Sequence, residues 1–186
     1  MGLLNIRIYP DPALKAVAQP VVEVTEKVRR LLDDMAETMY HAPGVGLAAP
    51  QVGVLQRILV VDVGEPVLMT QGERDPDQTI RPKLYQLINP EIVAREGQLT
   101  WEEGCLSLPE LLVVMERSAR VVVQAKDRDG QTVTIDAEGL LAVALQHEID
   151  HLDGKLIIDP LSRLKRQLYL DKLRKLVPHS TERFCI

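Results

Sequence analysis

His147-Glu148-Ile149-Asp150-His151 sets two imidazoles four residues apart, with a carboxylate directly after the first. On an α-helix that spacing puts both rings on one face, about 6 Å apart along the axis. Two ring nitrogens can then converge on one cation. Glu148 can lean toward a water on that cation and act as acid and base. The competing reading is a pair of solvated histidines on a polar face, since three fixed residues in five also arise by chance. Two facts weigh against it. The residues before the motif, Leu140, Leu141, Val143, Ala144 and Leu145, are apolar nearly all round, and the chain has only four histidines.

A catalytic ion of this kind needs a third protein ligand and one open position. A longer version of the motif places another His six residues past the second, but position 157 is Ile, although Gly154 fits that pattern. The third ligand must come from elsewhere. Cys105 is the best candidate. It lies in Glu103-Gly104-Cys105-Leu106-Ser107, where Gly104 permits close approach of the backbone. A cysteine there can also be a small buried hydrophobe, and without the histidine pair that reading would be preferred. Cys185, one residue from the end, is expected to be a free thiol. Two imidazoles and a thiolate suit zinc, iron, nickel or cobalt. A third segment, Gly44-Val45-Gly46-Leu47-Ala48-Ala49-Pro50-Gln51, is rich in small residues. It can lay backbone against a ligand, yet alone it reads as a tight turn after a helix. It lacks the Gly-Lys-Ser/Thr end of a phosphate loop.

The elements that must position these residues follow from periodicity. Val28, Leu31, Leu32, Met35 and Met39 recur at steps of three and four, predicting an amphipathic helix from Thr25 to His41 with Thr25 as N-cap. The apolar run Ile58 to Val63 predicts a buried strand. Residues 64–81 mix Gly, Pro, Gln and charge without a period and are expected to form an exposed insertion. Tyr85 to Ile92 and Ala94 to Trp101 are expected to pair as strands. So are Arg120 to Lys126 and Thr132 to Asp136, around a turn ending at Gly130. Leu140 to Leu152 is a second helix, buried, with Gly154 as its stop. Leu161 to Leu176 is a third, with Leu161, Leu164, Leu168 and Leu176 on one stripe and Lys and Arg between. The expected class is α+β: antiparallel strands surround a central buried helix that carries the metal motif, with N-terminal and C-terminal helices. The expected organisation is one catalytic domain, 1–176, and a flexible tail, 177–186.

Bulk properties exclude some functions. A chain of 186 residues with 46% hydrophobic content can build a full core, with aromatics at only 3%. A net charge of −5 argues against DNA as a partner. No apolar run reaches the roughly 18 residues a membrane span needs. The start lacks the pattern of a secretory signal. Two cysteines make no disulfide framework. The expected compartment is the cytoplasm.

Taken together, three segments resemble the peptide deformylases. These are the glycine-rich stretch ending Ala48-Ala49-Pro50-Gln51, then Glu103-Gly104-Cys105-Leu106-Ser107, then Gln146-His147-Glu148-Ile149-Asp150-His151. The Tyr9-Pro10-Asp11-Pro12 opening is similar as well, and the likeness runs over roughly residues 5 to 176. The resemblance implies a hydrolase that removes the formyl group from the initiator methionine of new polypeptides, releasing formate. Hydroxide formed on the ion attacks the formyl carbon, with Glu148 as general base and then acid. It implies iron(II) in the cell, with Zn(2+), Ni(2+) or Co(2+) possible in purified protein. The Gln51 amide and Leu106 N–H are implied as oxyanion donors. Val45, Gly46 and Gly104 are implied to pair with the peptide backbone. Trp101, Leu140 and Val143 are nominated as the wall for the methionine side chain. Close walls at Gly46 are expected to exclude acyl groups larger than formyl.

There are departures. An Arg that some members carry seven positions past the Cys is here Leu112, and an acidic residue before the glycine-rich segment is here Pro43, which leaves Arg117 to meet Asp150. The basic C-terminal helix could contact ribosomal RNA, as the resemblance suggests, although a solvated basic face is the simpler reading. A zinc endopeptidase would share the His-Glu-His helix but would not need Cys105 or Gln51. An inactive relative acting as a binding protein would have lost ligands or base, and both are intact.

Overall fold

The computed structural model describes residues 2–66 and 80–176. Most of the 64–81 segment, the 177–186 tail and Cys185 lie outside the described residues. The architecture is α+β, with antiparallel sheets and three α-helices among the described residues.

Helix α1, Glu26–His41, forms where periodicity places it. Thr25 takes the N-cap position with extended backbone, but its side chain makes no capping bond. Val28, Leu32, Met35 and Met39 form its buried face. After it come β1, Gly46–Ala48, and β2, Ile58–Val61. Every residue of β2 is buried, and the reason is two-sided packing. Ile58 and Val60 join the cluster that holds the α1 face, while Leu59 and Val61 join the cluster on the opposite side of the sheet. Alternate side chains of a strand point to opposite faces, so a strand covered on both faces reads as continuous apolar sequence.

Two short strands, β3 (Glu65–Pro66) and β4 (Ile80–Arg81), pair with each other at the base of the 64–81 segment. Asp62 anchors that base: it accepts bonds from the Tyr40 hydroxyl at 2.6 Å and from the backbone N–H of Gly64 and Lys83.

The middle of the chain departs from expectation. Residues 85–101 are not a hairpin. β5 is one strand, Tyr85–Glu96, and β6, Leu99–Cys105, belongs to another sheet. β5 pairs with β2 through its first residues and with β8 (Arg120–Lys126) through the rest. Its ladder is bulged between Ile88 and Glu91 and again between Ile92 and Ala94. Each bulge breaks the alternation and mimics a strand end. The break comes at Gly97, with φ +62. β6 pairs instead with β7, Leu108–Arg117, a strand the sequence reading left unassigned.

β8 and β9 (Thr132–Glu138) form the expected hairpin. Its turn is tied by the Asp127 carboxylate, which accepts from the N–H of Asp129 and Gln131, and Gly130 sits at φ +82. The larger sheet runs β1-β2-β5-β8-β9, so β1 is an edge strand.

Helix α2, Gly139–Leu152, sets Ala142, Ala144, Leu145, Ile149 and Leu152 into the cluster with Leu59, Val61, Val121 and Val123. It stops at Gly154, in the left-handed region at φ +70, where an added Cβ would lie 2.6 Å from the Lys15 carbonyl oxygen. Helix α3, Arg163–Leu176, is capped by the Ser162 hydroxyl, which accepts from the Lys165 N–H. The leucine stripe is not its buried face. Leu164 and Leu168 are 70% and 61% exposed, and the helix buries Tyr169 and Leu173 instead. The cluster it joins has Leu108 and Val113 of β7, so the face was chosen by the hairpin beneath it rather than by leucine spacing.

Candidate active site

Helix α2 delivers His147, Glu148 and His151, and the end of β6 delivers Cys105. Their potential ligand atoms, Cys105 Sγ and one ring nitrogen from each histidine, all lie within 4.8 Å of one another. Cys105 Sγ sits 3.1 Å from His151 Nε2. The histidine rings meet edge-on, with centroids 4.9 Å apart. His151 is 1% exposed.

A residue the sequence reading did not single out fixes the first histidine. Glu103 Oε2 lies 2.8 Å from His147 Nδ1. A carboxylate on one ring nitrogen sets the tautomer and leaves Nε2 free to ligate, the usual support behind a metal-bound histidine. Glu103 is itself held by Arg117, whose Nε and Nη2 reach its two oxygens at 2.6 and 2.9 Å. The third guanidinium nitrogen, Nη1, reaches Asp150 at 2.5 Å. The expected Arg117–Asp150 contact is therefore present, and Glu103 is Arg117's second partner. One residue of the histidine motif's helix, Asp150, and one from the Glu-Gly-Cys segment, Glu103, are thus clamped by a single guanidinium whose side chain is 8% exposed, and His147 is reached through Glu103. The visible signal was Glu103's place two residues before Cys105. The partner it needed lay across the hairpin in β7.

The electrostatics favour a cation. Burial by itself raises Glu103, but hydrogen bonds from Arg117 and His147 outweigh it and hold the carboxyl below its ordinary value. Burial lowers His151 well below the usual imidazole range, so it stays neutral and ligand-ready. At His147 burial acts downward too, yet the contacts with Cys105 and Glu103 and the charge of Glu148 push it well above that range. The pocket thus asks for positive charge, which a proton or a divalent ion can supply. These donors fit a metal. Two nitrogens and a sulfur converge, one imidazole is oriented from behind, and Glu148 Oε2 beside them is buried with no hydrogen-bond partner among the described residues.

Glu148 is pushed up to about 7, chiefly by burial, with the Glu103 charge adding to the rise. Gly46 lies against it: an added Cβ would stand 2.4 Å from Glu148 Oε1. That close approach is why the small-residue segment carries Gly at this place. Gln51 is 1% exposed. Its Oε1 accepts from the Ala48 N–H at 2.8 Å, which turns Nε2 toward Ser107 Oγ at 3.2 Å and Cys105 Sγ at 3.6 Å. Leu106 lies in the turn just after Cys105.

Gln51, Glu103, Cys105, Leu106, His147 and Glu148 open on a cavity of about 460 Å³. Val45, Gly46, Trp101, Gly104, Leu140 and Val143, all nominated from sequence, line it. Trp101 and Leu140 are 41% and 38% exposed at its rim, and Val143 is buried at 3%. Leu112 is 63% exposed outside the lining.

Comparison with known proteins identifies the family. A family model described as Polypeptide deformylase matches residues 3–167. The peptide deformylase of Alkalilimnicola ehrlichii is 52% identical over 177 residues, covering 95% of this chain and 92% of that protein. That of Thermodesulfovibrio yellowstonii is 49% identical, covering 94% and 98%. The crystal structure of a peptide deformylase from Legionella pneumophila superposes with a TM-score of 0.80 at 43% identity, covering 94% and 96%. The enzyme from Ehrlichia chaffeensis in complex with actinonin gives 0.83 at 39%, covering 96% and 99%.

Proposed function

The chain belongs to the peptide deformylase family, and from that premise we propose that it removes the N-formyl group from the initiator methionine of new polypeptides, releasing formate. The observation that carries the reading is a three-donor cluster, Cys105, His147 and His151, with a buried, partnerless carboxylate oxygen of Glu148 beside it. An endopeptidase would leave Cys105 and Gln51 without a task.

Cys105, His147 and His151 would hold the ion, iron(II) in the cell, with zinc, nickel or cobalt able to replace it. When bound, the ion supplies Lewis acidity and acidifies a water at neutral pH. Glu148 takes the proton of the attacking water and returns it to the departing amine. The Gln51 Nε2–H and the Leu106 N–H donate to the oxyanion that forms at the formyl carbon. Gln51 is oriented for this in advance by its bond to Ala48.

The peptide adds as a strand between Val45-Gly46 and Gly104. β1 is the edge of the larger sheet and β6 lies in a two-stranded sheet, which leaves backbone for such pairing. Trp101, Leu140 and Val143 receive the methionine side chain. Close walls at Gly46, where an added Cβ would stand 2.4 Å from Glu148 Oε1, would exclude acyl groups larger than formyl.

We read residues 1–176 as one catalytic domain around α2, working in the cytoplasm, with the basic face of α3 available to ribosomal RNA. No helix among the described residues is long and apolar enough to cross a membrane. The test is formate release from a formyl-Met peptide by metal-loaded protein, with the acetyl-Met peptide and casein as controls. Turnover of the formyl peptide alone supports the reading. Casein cleavage without formate release contradicts it.

A further inference from the structure

The hairpin that carries Cys105 has an irregularity on its cavity side. Glu103 pairs with Val113, and Cys105 pairs with Leu108. One residue of β6, Gly104, therefore faces four of β7, residues 109–112. Glu110 within this bulge has φ 59, in the left-handed region that residues other than glycine seldom enter. Pro109 and Glu110 line the cavity. Leu112 folds back over Gly104: a Cβ there would lie 3.3 Å from Leu112 Cδ2. The bulge has lost its ladder partners on β6, so something else must set its position.

Helix α3 supplies that support from outside. The Tyr169 hydroxyl donates to the Pro109 carbonyl at 3.2 Å, and Lys172 Nζ reaches Glu110 Oε2 at 2.9 Å. Tyr169 and Leu173 are buried in one cluster with Leu108 and Val113, the two residues that bracket the bulge. We propose that α3 sets one wall of the peptide cavity, with Tyr169 and Lys172 as positioning residues acting through residues 109–112. The bond from Tyr169, a buried side chain, carries the larger share. The Lys172–Glu110 pair is half exposed at each partner, so solvent screens it, and it selects the direction of Glu110 rather than adding much strength. The inference rests on the deformylase reading for its kinetic test but not for its structural one.

The test uses the metal-loaded full chain carrying Tyr169→Phe, Lys172→Ala, both together, and Lys172→Arg. The double variant should raise KM for a formyl-Met peptide about fivefold or more with kcat within about twofold and metal content unchanged, the pattern of lost uniform binding. Lys172→Arg should behave as wild type, and so should Leu168→Ala on the outer face of α3. Amides of residues 110–112 should exchange with solvent about tenfold faster in the double variant, as expected when a local tether is cut. A double variant whose KM stays at the wild-type value overturns the proposal, as does unchanged amide exchange. Wild-type protein that releases no formate would sink the deformylase reading instead, and the exchange result alone would then decide on α3.

Discussion

In the proposed reaction, Glu148 is the residue on which turnover depends. Its carboxylate is buried, one oxygen has no partner among the described residues, and burial lifts it to about 7. Glu148→Gln should keep the ion and lose on the order of 10²–10⁴-fold in kcat, the usual worth of a positioned acid–base group. Metal analysis beside a formate assay checks both halves. The base works deprotonated, so kcat/KM should fall as pH drops through its pKa. A bound cation favours the ionised form and can only move that limb downward, so the acid limb should lie at or below about 7 and should vanish in Glu148→Gln. Gly46 gives a second residue-scale expectation. A methyl there would press on Glu148 Oε1 from 2.4 Å. Gly46→Ala should therefore depress kcat while metal content stays full. A variant as active as wild type would show that the close approach is idle.

At the scale of elements, the site is where α2, the end of β6 and β7 meet, and Arg117 is the joint. Glu103→Gln keeps volume but removes a charge that Arg117 and His147 both use. It should weaken metal affinity by roughly 10–100-fold, as loss of a carboxylate behind a ligating histidine does. Competition with a chelator measures this, and unchanged affinity would leave Glu103 as an Arg117 partner only. Element scale is also where the sequence was least readable. His147 and His151 announced themselves because four residues on a helix is a local relation, and the apolar turns of α2 told of its burial. Cys105 could be nominated by elimination. Glu103 could not, because its meaning depends on Arg117 arriving from the partner strand, a pairing no local pattern encodes. β5 was split in two because its bulges interrupt the period of two. Leu164 and Leu168 misled for a related reason: spacing describes a possible face, and the hairpin under α3 selected the Tyr169–Leu173 face. The Thr25 cap was right in place and wrong in chemistry, since its side chain makes no capping bond.

At the scale of the whole molecule, charge and metal are linked to stability. Glu103 is depressed in the folded chain despite burial, because Arg117 and His147 hold it ionised. A folded value below the unfolded one stabilises the fold above the ordinary carboxylate pKa, about 4.3 for Glu. That contribution should fade as pH falls through the depressed value, and thermal unfolding against pH in wild type and Glu103→Gln should show the two curves converge in acid. An ion in the site needs unprotonated ligands, so its binding too should weaken as pH falls.

X-ray absorption at the edge of the bound ion tests the central claim most directly. One sulfur and two imidazole nitrogens at distances near 2.3 and 2.0–2.1 Å for zinc-loaded protein, with a further light-atom ligand, are the predicted shell. A shell without sulfur, or one whose sulfur persists in Cys105→Ala, would contradict it.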